Sequence, residues 1–303
     1  MPSPEHDQLV DALIAAGGRL TPTIAPHGQE LTNLRGVETT TTQAASSQEG
    51  VVAIVSGGVE CLTVGDAAVG GITLLYLHGG GYVYTRAADA VAPATALAGT
   101  TGARVVLPDY RRSPEFPHPA AVDDGLSVYR DLIGSGIDPS RIVVGGDSAG
   151  GGLALALLIA AQRANLPAPL ACVVFSPWTD LAVSGQSADS VDDPVVSGTG
   201  LRMMAETYLA GVDPHSALAS PLYATDDELK ALPPLLVQVG TREALLDDAR
   251  RFVARLRGLD VGVEYFEYPG VVHMWMVINP ELPESRHSYE RAASFIADAS
   301  RRR

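Results

Sequence analysis

The stretch Gly146-Asp147-Ser148-Ala149-Gly150 places a serine between small residues in the pattern Gly-x-Ser-x-Gly. It follows the β-branched run from Arg141 to Gly146 and opens an alanine- and leucine-rich stretch ending near Gln162. That strand, turn and helix setting is the one in which the pattern presents a serine as a nucleophile. On so sharp a turn the serine occupies an unfavourable backbone region, and glycines at 146 and 150 keep it free of clashes. Phosphate binding does not fit: no lysine follows the glycines, and the spacing is not Gly-x-Gly-x-x-Gly.

A serine hydroxyl is a weak nucleophile at neutral pH and needs a base, which in turn needs an orienting acid. A serine on such a turn is followed in the chain by the acid and then the histidine. Of seven histidines only His215, His273 and His287 follow Ser148. His215 comes after Asp213-Pro214 in a turn, and His287 starts the last polar helix. His273 stands in "YFEYPGVVHMWMV", on the loop after the last apolar run, where a base can reach over a sheet edge. For the acid, "PLLVQVGTREALLDDARRF" offers Glu243, Asp247 and Asp248. Glu243 is favoured because it is still in the loop after the strand. Asp247 is the alternative, although it also suits the first turn of the next helix. The third requirement is a cradle for the developing oxyanion. His78-Gly79-Gly80-Gly81 at the exit of a strand can turn its backbone N–H groups into a cleft, and Gly80, Gly81 and Ala149 are the expected donors.

The elements that must position these groups alternate along the chain. Short apolar runs at 71–78, 103–110, 141–146, 170–176, 234–240 and 261–268 read as buried strands. Helical patterns lie between them, and 51–55 with 59–64 reads as a hairpin at the leading edge. Continuous apolar strands separated by helices predict an α/β fold with a mostly parallel sheet of about eight strands, flanked by helices on both faces. One domain over residues 1–303 is expected, with two regions outside the alternation, about 1–48 and 181–222, forming a helical cap over the carboxyl edge of the sheet. In the second region Leu201, Met204 and Tyr208 share a helical face, and Gly211 supplies the stop.

Composition narrows the partners. The formal net charge is −14, and Lys230 is the only lysine among the 21 basic residues. Neither nucleic acid nor an anionic membrane is expected as a partner. Cys61 and Cys172 are too few for a disulfide framework, and the start has no basic leader before an apolar core, so a cytoplasmic protein is expected.

Taken together, these motifs resemble the bacterial hormone-sensitive-lipase-like esterases, a branch of the α/β-hydrolase superfamily, over about residues 50 to 300. "PDYRRSPEFPHPAAVDD", "SPWTDL", "DDPVVS…YLAG…SPL" and "PGVVHMW" match further stretches of that family, and Tyr82 is its aromatic after the three glycines. The resemblance implies an α/β-hydrolase fold with a helical cap and an esterase with catalytic Ser148, Glu243 and His273, without cofactor or metal. It further implies a homodimer through the last strand or helix. Expected substrates are small or medium apolar esters, with lactones and amides open to the same triad. Tyr82, Met203, Met204, Tyr208, Leu209, Met274 and Trp275 are candidates to line an apolar pocket. Two departures stand out. Glu243-Ala244-Leu245-Leu246-Asp247-Asp248 replaces Asp-Pro-Leu-x-Asp-Glu, which lengthens the acid by one methylene and is similar to a subgroup containing monoterpene ε-lactone hydrolases. Arg112-Ser113 replaces Leu-Ala, with only local repacking expected. Plant gibberellin receptors resemble the same family but bind a ligand without hydrolysis and lack the histidine, so a ligand-binding receptor is the non-enzymatic alternative.

Overall fold

The computed structural model describes residues 1–15, 47–66 and 71–302. Among these, eight strands form one sheet: β1 (Val51–Ser56), β2 (Val59–Val64), β3 (Thr73–Leu77), β4 (Arg104–Pro108), β5 (Ile142–Asp147), β6 (Ala171–Phe175), β7 (Leu235–Arg242) and β8 (Val263–Val272). Their order is β1-β2-β4-β3-β5-β6-β7-β8. β1 and β2 form the expected hairpin, β2 runs antiparallel to β4, and every other neighbour is parallel. This is the α/β-hydrolase fold, and each strand lies where an apolar run predicted it.

The period-two alternation of strand residues explains why both faces need cover. Leu75 and Leu77 of β3, Val144 of β5 and Val174 of β6 enter one core, against α3 (Ala120–Gly134), α4 (Ser148–Arg163) and α8 (Leu246–Gly258). Leu74, Tyr76, Val143 and Val173 enter the other, against α2 (Val91–Thr101) and α10 (Pro283–Arg301). Strand order reverses around β3, whose chain leaves for β4 on one side while β5 sits on the other. A crevice opens at the carboxyl ends of strands at such a reversal. The glycines after β3 and Ser148 after β5 both lie there.

Residues 181–222 carry α5 (Ser187–Ser190) and α6 (Gly198–Leu209). Leu201, Met204 and Tyr208 form the buried face of α6, as their spacing predicted. The stop differs by one residue: Ala210, at φ 48°, takes the left-handed position ahead of Gly211. Of the first cap segment, residues 16–46 lie outside the described residues. Its beginning, α1 (Pro4–Ala15), is held by Ser3, whose N–H and hydroxyl both donate to the Glu284 carboxylate, and by Val10 packed with Val195 and Val272. Among the described residues no helix is long and apolar enough to cross a membrane.

Two glycine substitutions separate crowding from helix propensity. A Cβ on Gly150 in the first turn of α4 meets the carbonyl oxygens of Leu77 and His78, whereas one on Gly99 in α2 meets nothing within 4 Å. Gly150→Ala is expected to destabilise by about 2 kcal/mol or more. Gly99→Ala should stabilise by roughly 0.5–1 kcal/mol, both read from chemical denaturation.

Candidate active site

Ser148 is the first residue of α4 and has φ 52°, in the left-handed region that a side chain rarely adopts. The surroundings hold it there. A side chain at Gly146 would meet the Gly150 and Leu77 carbonyls, and the Ser148 carbonyl accepts the Trp178 N–H at 2.9 Å. The β5 strand thus ends in a turn too tight for larger neighbours, and its tip carries the hydroxyl.

His273 follows β8 and Glu243 follows β7, and the two strands pair in parallel, which brings the residues at their carboxyl ends together. His273 Nε2 lies 2.9 Å from Ser148 Oγ, and Nδ1 lies 2.9 Å from Glu243 Oε2. A carboxylate only accepts, so the ring proton sits on Nδ1 and Nε2 is left to accept from the serine. The other carboxylate oxygen, Oε1, accepts the Ser176 hydroxyl and the Gly240 N–H, each at 2.7 Å. The extra methylene of glutamate is therefore absorbed by a fixed, doubly bonded pose. Burial alone would pull the His273 pKa down; the hydrogen bond and charge of Glu243, with Asp193 and Asp147, outweigh it and the net shift is upward. Asp147, beside the serine, is pushed up to about 6 by burial, against the hydrogen bond it accepts from Tyr76 at 2.8 Å.

Opposite the serine, Gly80 and Gly81 have φ 92° and 64°. The loop's carbonyls are drawn off by partners: His78 O accepts the Tyr110 hydroxyl at 2.7 Å, Gly79 O the Thr85 hydroxyl at 2.7 Å, and Gly80 O the N–H groups of Val83 and Tyr84 at 3.1 and 2.9 Å. Ala149 contributes one of the first-turn N–H groups that a helix leaves without an internal acceptor. His78 is stacked on Tyr110 at 4.2 Å, and burial pulls its pKa down to about 4, so it is a neutral spacer.

A family description of this architecture, alpha/beta hydrolase fold, matches residues 74–277. An acetyl-hydrolase from Streptomyces hygroscopicus is 43% identical over 232 residues, 76% of this chain and 77% of that protein. An esterase from Acinetobacter venetianus is 33% identical over 225 residues, 73% of each. The crystal structure of an esterase from the bacterial hormone-sensitive lipase family superposes with a TM-score of 0.85 at 35% identity, covering 99% of both chains. The chain belongs to the hormone-sensitive-lipase-like branch of the α/β hydrolases.

In this hydrolase the remaining sequence candidates divide. Asp247, the alternative acid, is in the first turn of α8, where its carboxylate accepts the Ser187 N–H at 3.0 Å; Glu243 is the residue set on the imidazole. His215 is exposed beside Asp213, and His287 packs edge-on to Tyr268. Tyr82 stacks on Tyr208 with centroids 3.8 Å apart, and the Met204 sulfur lies over Gly81, so both insertion residues touch the glycine loop. Met203 is partly buried against the core in which Leu209 is buried. Met274, at φ 56°, lines a small recess with His78 and Asp147. Trp275 departs from expectation. It is fully buried against Tyr268, 5.0 Å away, in the core that faces α2 and α10, because the left-handed turn at Met274 directs the chain there.

The Arg112-Ser113 departure also does more than repack locally. The Arg112 guanidinium donates to the Tyr84 and Thr85 carbonyls at 2.8 and 3.1 Å and so braces the tail of the glycine loop, while the Ser113 contact, its backbone N–H on Tyr82 O at 2.9 Å, is one that alanine would also make. Sequence reasoning missed Ser176 and Asp193, which support the acid loop from other elements. The "SPWTDL" and "DDPVVS" stretches that contain them were visible as motifs, but their target was not.

The His273 pKa, followed by NMR of its ring protons, should lie above 6.5 and fall in Glu243→Gln, which removes the negative partner of the imidazolium. Asp247→Asn should leave it in place.

Proposed function

We propose that this carboxylic ester hydrolase cleaves short- to medium-chain apolar esters through Ser148, His273 and Glu243, by way of an acyl-enzyme. The observation that carries the reading is the unbroken line of contacts from Ser148 Oγ through both imidazole nitrogens to Glu243, 2.9 Å at each step, beside a glycine loop whose carbonyls are turned to other partners.

His273 Nε2 takes the hydroxyl proton as Ser148 Oγ attacks the ester carbonyl. The imidazolium that forms is buried, and the Glu243 carboxylate, held by Ser176 and Gly240, stabilises it without accepting its proton. Negative charge appears on the former carbonyl oxygen, where the N–H groups of Gly80, Gly81 and Ala149 receive it. The alcohol departs with the proton from Nε2. Water then gives a proton to the same nitrogen and attacks the acyl carbon, which releases the acid and restores the serine. Because only the neutral imidazole is a base, kcat/KM should fall as pH drops through the raised pKa of His273.

The insertion suits an apolar substrate, since Met204, Tyr208 and Tyr82 meet at the glycine loop. We read residues 181–222 as part of a cap that sets substrate size, and the substrate as a small molecule. Free, buried Cys61 and Cys172 suit a cytoplasmic setting. Lactones and amides present the same carbonyl to the same triad, and the ligand-binding receptor reading is disfavoured by an imidazole in line with the serine.

Ser148→Ala should abolish turnover of p-nitrophenyl acetate and butyrate while leaving the circular dichroism spectrum and melting profile intact; undiminished hydrolysis would refute the reading. Glu243→Ala should lose on the order of 10³-fold or more in kcat, and Asp247→Ala far less. The reverse ranking would transfer the role of the acid.

A further inference from the structure

Asp193 lies in the insertion and is 1% exposed, with no place in the mechanism above. Its carboxylate is held entirely by backbone. Oδ1 accepts the Val195 and Val196 N–H groups at 2.8 and 3.3 Å, and Oδ2 accepts the Ala244 N–H at 2.9 Å. Ala244 is the residue after Glu243, and its carbonyl accepts the Ser187 hydroxyl at 2.7 Å. Both polar groups of Ala244 are thus bound to the insertion, and the acid loop cannot move without breaking a buried hydrogen bond.

We propose that Asp193 is a positioning residue of this active site: a second buried carboxylate, supplied by the insertion, that fixes the Glu243 loop, and so the carboxylate set on His273, by accepting the Ala244 N–H. The proposal rests on the triad reading above. Three carboxyl groups bear on His273 from three elements: Glu243 from the loop after β7, Asp193 from the insertion and Asp147 from the end of β5. The neighbouring surface pair, Arg242 and Asp192 at 3.3 Å, is exposed on its acidic side. Burial pushes Asp193 itself up to about 6, opposed first by the charge of His273. Above that pH it is an anion, and its charge adds to the upward shift of His273. A second buried carboxylate near Glu243 is costly unless it is hydrogen-bonded, and three backbone N–H groups meet that need at Asp193.

The experiment compares wild type, Asp193→Asn and Asp193→Ala on p-nitrophenyl acetate across pH, with Ser148→Ala as the control for the triad reading. Asp193→Asn keeps size and an acceptor for Val195 and Val196, but it removes the charge and sets an amide NH2, a donor, against the Ala244 N–H. Its acid limb of kcat/KM should move to lower pH by roughly half a unit or more, because an imidazolium with one fewer negative neighbour gives up its proton more readily. Asp193→Ala should lose about tenfold or more in kcat, with KM changed much less. Should Asp193→Ala fail to fold, the Asn limb decides alone. A limb that superimposes on wild type in folded Asp193→Asn overturns the proposal, whatever happens to kcat, since Glu243 and the imidazole would then be held equally well without the Asp193 carboxylate. Activity that survives Ser148→Ala sinks the triad reading instead, so the two failures are distinguishable.

Discussion

The tip of β5 is the constraint from which the site is built. Ser148 must hold φ 52° on a chain that changes from strand to helix within one residue, and it can do so only because Gly146 and Gly150 let the Leu77 and His78 backbone pass against the turn. Isolated glycines in the first turn of a helix weaken it. Here the same glycines let β3 and α4 approach closely, so main chain packs directly on main chain where the serine turn meets the end of β3. The left-handed serine is kept in a sparsely populated conformation by the surrounding packing, and the fold supplies that packing through the buried run of α4 from Ser148 to Ala161.

Everything that surrounds the serine is arranged by hydrogen bonding to carbonyls and carboxylates. Tyr110, Thr85 and Arg112 take up carbonyl groups of the glycine loop and its tail, and Ser176, Gly240, Asp193 and Ser187 secure the loop that carries Glu243. Most of these partners come from other strands or from the insertion, so the geometry of Ser148, His273 and Glu243 depends on contacts distributed over most of the chain. Buried polar groups satisfied in this way are rigid, because releasing any of them leaves an unpaired group away from water.

The sequence was informative where chemistry is local. The eight strands, the order serine, acid, histidine and the glycine loop could be read because each is set by short-range rules: apolar runs, turn residues and motif spacing. Glu243 was separable from Asp247 because a loop position and a first-turn helix position differ within four residues. What could not be read was long-range: that Ser176, after β6, would grip the acid after β7, or that Asp193 would reach Ala244 across the fold. Trp275 was misjudged for the same reason. An aromatic two residues past the histidine looks like pocket lining, and only the left-handed Met274 reveals that the chain has already turned toward the opposite core. Arg112 likewise looked like a local substitution, while its partners lie nearly thirty residues earlier in the chain.

The stacked rings of Tyr82 and Tyr208, 3.8 Å apart and tilted by only 4°, join the glycine loop to α6. Met204 presses on Gly81 from the same helix one turn earlier. In the proposed reading the roof over the crevice and the floor that receives the anion are therefore one mechanical part: α6 cannot swing outward without prying the rings apart and stripping Gly81 of its neighbour. A mutation that loosens the roof for bulkier guests will loosen the floor with it, and tolerance for size trades directly against the order of the amides beneath.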